Sequence, residues 1–182
     1  MNYIVNNCQV DSVREYALAT TNNSNSVANI TVTNSSFSYM RRFIDHRSPG
    51  SNSITIEDCT FFKVVAGGVE GAEPNYFIDL NTADSGNPIV IKNSIFGPGW
   101  NEGGGDYVRG FRAGAATTLS ATNSYSTSDY LSTNATYQLS GILGFAGTSY
   151  SIFADPDNGD FTITSASFPG NDNAGDPRWR QD

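Results

Sequence analysis

Lysine is almost missing from this 182-residue chain: only Lys63 and Lys92 occur, beside eight arginines. Against 18 acidic residues this leaves a formal charge of −8. A nucleic-acid binder needs a basic patch to neutralise phosphates, and little is present to build one. No run of 18 apolar residues occurs, so no membrane span is expected. No charged n-region followed by an apolar stretch opens the chain, so no signal peptide is expected within it. Met1 runs at once into strand-like sequence, which leads us to expect the C-terminal part of a longer chain.

Asn, Ser, Thr and Gly fill the space left by charge, at 74 of 182 residues. These rank poorly as helix formers, which argues against a helical bundle or an ordinary α/β enzyme. Disorder is excluded by 12% aromatic residues and by regular β-branched runs able to bury area. The length predicts one domain, residues 1–182.

A repeat decides the architecture. Tyr3–Val10, Ile30–Phe37, Ile54–Phe61, Ile89–Phe96 and Leu119–Ser126 align without gaps. The template reads apolar, x, apolar, x, Asn or Asp, small, x, apolar. Its fifth position holds Asn7, Asn34, Asp58, Asn93 and Asn123, spaced by 27, 24, 35 and 30 residues. Alternating apolar residues make a half-buried strand. Asn and Asp tolerate the left-handed region and turn the chain. The small residue after the turn points inward, and the next apolar residue re-enters the core. Stacked, such units form an all-β, right-handed parallel β-helix of three sheets, with five to six coils expected. Second strands of less regular pattern follow at residues 14–19, 42–47, 76–81 and 107–112, with their inner face undecided. Residues 1–126 are read as repeating coils and 127–182 as the last coil and a C-terminal cap. Within that cap, Asn158-Gly159 between Ile152-Phe153 and Phe161–Ile163 signals a hairpin.

Cys8 and Cys59 fall in the same inward column, two coils or about 9–10 Å apart. That is too far for a disulfide, so free, buried thiols are expected. His46, the one histidine, reads as a structural strand residue. Asp155–Asp160 has the wrong spacing for an EF-hand loop and reads as a turn; no metal site is expected. Four glycosylation sequons, at Asn22, Asn29, Asn34 and Asn134, are what this composition yields by chance.

The loops leaving the Phe column should stack on one edge. They carry Arg14 and Glu15, then Arg41 and Arg42, then Glu70 and Glu73, then Trp100, Glu102 and Asp106, and the third and fourth loops are glycine-rich. Sugar faces stack on aromatic rings, and hydroxyls bond to carboxylates and guanidinium groups, so this edge is the candidate glycan-binding site. The plainer reading is of ordinary surface loops with salt bridges.

The repeating strand pattern resembles the pectate-lyase-like, right-handed β-helix superfamily. Residues 152–163 and 173–180 resemble the closing motif of a domain of unknown function found in secreted or surface-lipoprotein proteins of Bacteroidetes. There it usually follows fibronectin-type domains and another β-helix segment. The resemblance implies an extracellular or outer-membrane-surface location, upstream domains in the same chain and a link to polysaccharide use. It also raises an alternative. Lyases of the superfamily place acidic Ca²⁺ ligands and a base on one outward strand face. The nearest matches are Asp45 and Asp79, with Arg47 and Arg109 near, and no third carboxylate stacks above them. We therefore expect a non-catalytic polysaccharide-binding module without cofactor. Calcium enters only under the lyase alternative, and a purely structural solenoid is the third reading.

Overall fold

A computed structural model describes residues 1–20, 27–47 and 51–181; the Asn22 sequon lies outside them. The chain winds into a three-sided parallel β-solenoid. One side stacks β1 (Asn2–Asn6), the starts of β3 (Asn29–His46) and β4 (Ser53–Val64), β6 (Ile89–Lys92) and β9 (Leu119–Thr122). The second stacks the start of β2 (Gln9–Thr20), the later parts of β3 and β4, β7 (Ile95–Phe96), β10 (Tyr125–Ser126) and β11 (Leu143–Gly144). The third stacks the ends of β2 and β3 with β5 (Tyr76–Asp79) and β8 (Arg109–Arg112). Five corners bound four full turns, fewer than the five to six coils expected, because each turn needs a corner at both ends.

The inward columns follow the repeat. Val5, Val32, Ile56, Ile91 and Ala121 stand in register. So do Val10, Phe37, Phe61, Phe96 and Ser126. Phe37, Phe61 and Phe96 are buried and stack with centroids 5.4 and 5.1 Å apart. The third side adds Phe43 and Phe77, stacked at 4.7 Å and set edge-on to Phe61. Such offset and edge contacts suit the ring quadrupole, so two aromatic columns lock the core together.

All five corner residues are left-handed, with φ between 45° and 55°. Their amides bond along the stack: Asn93 donates to Asp58 and Asn123 donates to Asn93. The small residue that follows has a second role beyond size. The hydroxyls of Ser35, Ser94 and Ser124 donate to the carbonyl two residues earlier, across the turn. They also accept the amide of the equivalent residue one coil before: Cys8, Cys59 and Ser94. The corner therefore satisfies its own backbone inside the core, where an unpaired group is costly. Cys59 is buried in this column, and burial pushes its thiol pKa strongly up. Cys8 is only half-buried, correcting the expectation for that thiol, since it stacks on Ser35 alone.

A second corner lies five residues beyond the first, at Ser12, Tyr39 and Lys63, again left-handed at φ 57°, 49° and 52°. Tyrosine and lysine take this conformation at a cost of about 1–2 kcal/mol each. At the equivalent place in the next coil stands Pro98, whose ring forbids it.

The closing segment divides in two. Tyr130, Leu139 and Ile142 lie over the last coil and join the main core. The rest runs lengthwise along the outer face of the second side. There β12 (Phe153–Asp155) and β13 (Asp160–Ile163) form the expected antiparallel hairpin. Its turn is longer than two residues, a 3₁₀ turn at Pro156–Asn158 closed by left-handed Gly159. Phe153, Phe161 and Phe168 pack with outward Phe62, Ile95 and Tyr125 into a second core. This strap then touches coil after coil. Asn123 donates to Asn173, Asp176 accepts from Ser36, the Trp179 indole donates to Ser36, and Arg178 reaches Asn7.

Two outcomes test the corner. Asn93→Ala should cost about 1–2 kcal/mol, from lost ladder bonds and the left-handed backbone. Asn93→Gly should recover part of that loss, since glycine accepts the conformation freely; equal denaturant midpoints for the two variants would contradict it. A thiol reagent should label Cys8 in the native protein and Cys59 only on unfolding, read by mass spectrometry after limited exposure.

Candidate functional site

The edge loops are built rather than loose. Val65, a buried β-branched residue at φ 77°, turns the chain out of the coil. Loop 66–75 then binds loop 97–107 backbone to backbone. Gly67 donates to Trp100, while Gly68 and Tyr107 exchange two bonds. A side chain at Gly67 would begin 2.5 Å from the Gly105 carbonyl oxygen, so only glycine allows the approach.

Against these loops opens a cleft of about 330 Å³, at the small end of ligand sites. Its walls include Tyr39, Lys63, Trp100, Asp106, Asp129 and Tyr150. Trp100 and Tyr39 are half-buried and meet edge to face at 5.9 Å; Tyr150 is 53% exposed. Lys63 lies 5.0 Å from the Tyr39 ring and bonds its hydroxyl and Asp157. Tyr39 and Tyr150 donate to the same Asp157 carboxylate. The strap's hairpin turn is thus tied to one wall of the cleft. Burial alone would pull the Lys63 ammonium down, but Asp157 and the two tyrosine hydroxyls hold it raised. Asp129 accepts from the Ser149 amide and hydroxyl. Asp106 carries no bond to a described residue.

The expected glycan-binding residues separate. Trp100 and Asp106 share the cleft. Arg41 and Glu102 form a rim ion pair at 2.9 Å, with Glu15 on the other side of Arg41 at 3.2 Å. Glu70 is exposed on its loop. Glu73 is buried, 3.7 Å from Arg109 and bonded to Gly71 and Thr133. Arg42 belongs to the third side, where it bonds Asn75, Tyr16 and Asp45. Missed from sequence were Tyr39, Lys63, Asp129 and Tyr150. Lys63 offered a signal, as a charge inside the apolar run Phe61–Val64.

The third side's outer face holds the alternative set. Asp45 and Asp79 do stand in register, and the next coil adds Arg112, not Arg109 or Gly110. Asp45 bonds Arg42 and Arg47, each at 2.8 Å. Asp79 bonds Arg47 and, through two parallel contacts, Arg112. The Arg112 guanidinium also lies 4.5 Å above the Tyr76 ring. Burial by itself raises the Asp79 carboxyl, but its guanidinium partners and the Asn81 amide outweigh that and hold it low. Both carboxylates are thus already neutralised. Among the described residues, no group of three or more His, Cys, Asp or Glu could hold a metal ion. His46 is buried, with Nδ1 2.6 Å from the Thr20 hydroxyl, and burial lowers its pKa. No described helix is long and apolar enough to cross a membrane.

The profile of a domain of unknown function, DUF5123, matches residues 54–179, well over half of the chain. The chain belongs to the DUF5123 family. No curated protein and no solved structure matches it. The DUF5123 match takes in Lys63, Trp100, Asp106, Tyr150 and Asp157, and leaves Tyr39 and the first coil outside.

Asp79→Asn should cost about 2–3 kcal/mol at neutral pH, because Arg112 loses its carboxylate partner and Arg47 keeps only Asp45. A carboxyl held low in the folded state stabilises fully above its ordinary value near 3.8, and loses that effect as pH falls through the lowered one. The gap between wild type and variant in urea midpoint should therefore be constant from pH 7 to about 5 and close below about 4. A gap that does not begin to narrow as pH falls below about 3.8 would show that the loss is not electrostatic.

Proposed function

We propose that this chain is a non-catalytic glycan-binding module, working outside the cell or at its surface beside further domains of a longer polypeptide. One observation carries the reading: three aromatic rings, Tyr150 exposed and Tyr39 and Trp100 half-buried, and a carboxylate with no partner among the described residues line one cleft on the solenoid. Ring faces take the C–H face of a sugar, and Asp106 takes its hydroxyls. Because the loops are locked by backbone bonds, little ordering opposes binding. The surface location rests on the sequence resemblance. The lyase reading is weaker, because a cation at Asp45 and Asp79 would first have to displace their guanidinium partners.

Neutral and pectic oligosaccharides titrated against the protein test it, with tryptophan fluorescence as readout for the unaltered chain and Tyr150→Ala, and calorimetry for Trp100→Ala, which lacks the reporting ring. Binding in the micromolar to millimolar range is expected, about −4 to −8 kcal/mol. Trp100→Ala and Tyr150→Ala should each weaken it about tenfold or more, or about 1.4 kcal/mol. Trp179, whose indole N–H is engaged by Ser36 under the strap, should stay silent. No response to any glycan would leave a purely structural solenoid module.

A further inference from the structure

We infer that the cleft selects uncharged sugars and rejects uronates and sulfated glycans, with Asp106 as the discriminating residue; this rests on the glycan-binding reading above. The argument is one of local charge, and each cation near the cleft is engaged. Lys63, the cation in its wall, is bonded by Asp157 and by Tyr39. Arg41 at the rim stands between two carboxylates, Glu15 and Glu102.

The remaining arginines stand elsewhere. Four lie on the third side, with Asp45, Asp79 and Glu73. Two lie on the strap, reaching Asn7 and Asp58. Arg14 stands on the first coil. The column runs through Met40, Val65 and Trp100, so Arg14 is three coils from Trp100, though one coil from Tyr39 on the opposite side of the cleft. Three strand spacings are about 14 Å, beyond the screening length of about 8 Å at physiological salt, so under those conditions Arg14 does not offset charge at the Trp100 and Asp106 end of the cleft.

Among the described residues, two carboxylates line the cleft with no cation bonded to either. Asp129 is held by the Ser149 amide and hydroxyl, which leave its charge in place. Asp106, half-buried, has no described partner. A sugar hydroxyl donates to such a group at no electrostatic cost, whereas a uronate or sulfate meets like charge with nothing to offset it. The rejection is a repulsive device laid over a sequence-tolerant aromatic platform, which is how a shallow site gains specificity.

The experiment compares xylohexaose and mannohexaose with hexagalacturonate and a heparin hexasaccharide on the full chain, at low and at physiological salt, by calorimetry and by tryptophan fluorescence. At low salt the neutral sugar that binds best should exceed both anionic ones by about tenfold or more, and the gap should narrow as salt rises. Asp106→Asn keeps the shape, removes the charge and exchanges one acceptor oxygen for a donor, so it weakens neutral binding as a lost contact should, but it should shrink the ratio of neutral to anionic affinity several-fold. Anionic sugars binding as tightly as neutral ones, or a gap unmoved by both salt and Asp106→Asn, would overturn the selectivity. Absence of binding by all four would overturn the glycan reading itself. The salt series on the unaltered protein decides the question even if the variant does not fold.

Discussion

Everything in this molecule depends on a bend. A left-handed Asn or Asp turns the chain, and the Ser or Cys after it closes the hydrogen bonds that the bend would otherwise strand in the core. The pair works only in register, because each hydroxyl serves a carbonyl in its own coil and an amide in the neighbouring one. A one-residue slip in a strand would turn its apolar set outward. It would also unpair the corner. Packing and hydrogen bonding therefore specify the same alignment, a consistency expected of a sequence with one deep minimum.

The second corner lacks that chemistry. Ser12, Tyr39 and Lys63 share no side-chain property, and two of them bear a backbone strain that glycine would have avoided. What holds them is outside the coil: the strap presents Asp157 to both Tyr39 and Lys63. Residues in sparsely populated backbone regions persist where their surroundings over-determine them, and they gather at functional sites. Here the strain, the strap and the cleft meet at the same two residues.

This division explains what the sequence made legible. Phe37, Phe61 and Phe96 were readable as core because the Asn column fixes their phase. The second corner was not, since nothing in Ser12, Tyr39 and Lys63 advertises a common conformation, and Pro98 abandons it in the next coil. The third side hid its facing because Asp45, Asp79 and Arg112 lie outward beside buried Ile44 and Ile78, so no clean alternation shows. The strap's course was invisible for another reason. Its bonds join residues as distant as Ser36 and Asp176, and the hairpin signal says that two strands pair, not which surface receives them. Trp100 and Asp106 were found from composition and loop position, whereas Tyr150 belongs to a segment that reaches the cleft only through that docking.

A repeat that stacks identical coils presents a uniform surface, and uniform surfaces are poor at holding one particular ligand. Shape must come from where the repeat is broken. The two widest departures are the intervals of 35 and 30 residues that follow Asp58 and Asn93. Their extra length contributes to loops 66–75 and 97–107, which lock together through Gly67 and Gly105 and raise one wall of the cleft. The strap, which follows no repeat at all, contributes the facing wall through Tyr150 and braces it through Asp157. Between them, the regular coils supply only Tyr39 and Lys63 to the cleft's lining. The scaffold's regularity fixes where the walls stand, and the irregular segments alone decide what fits between them.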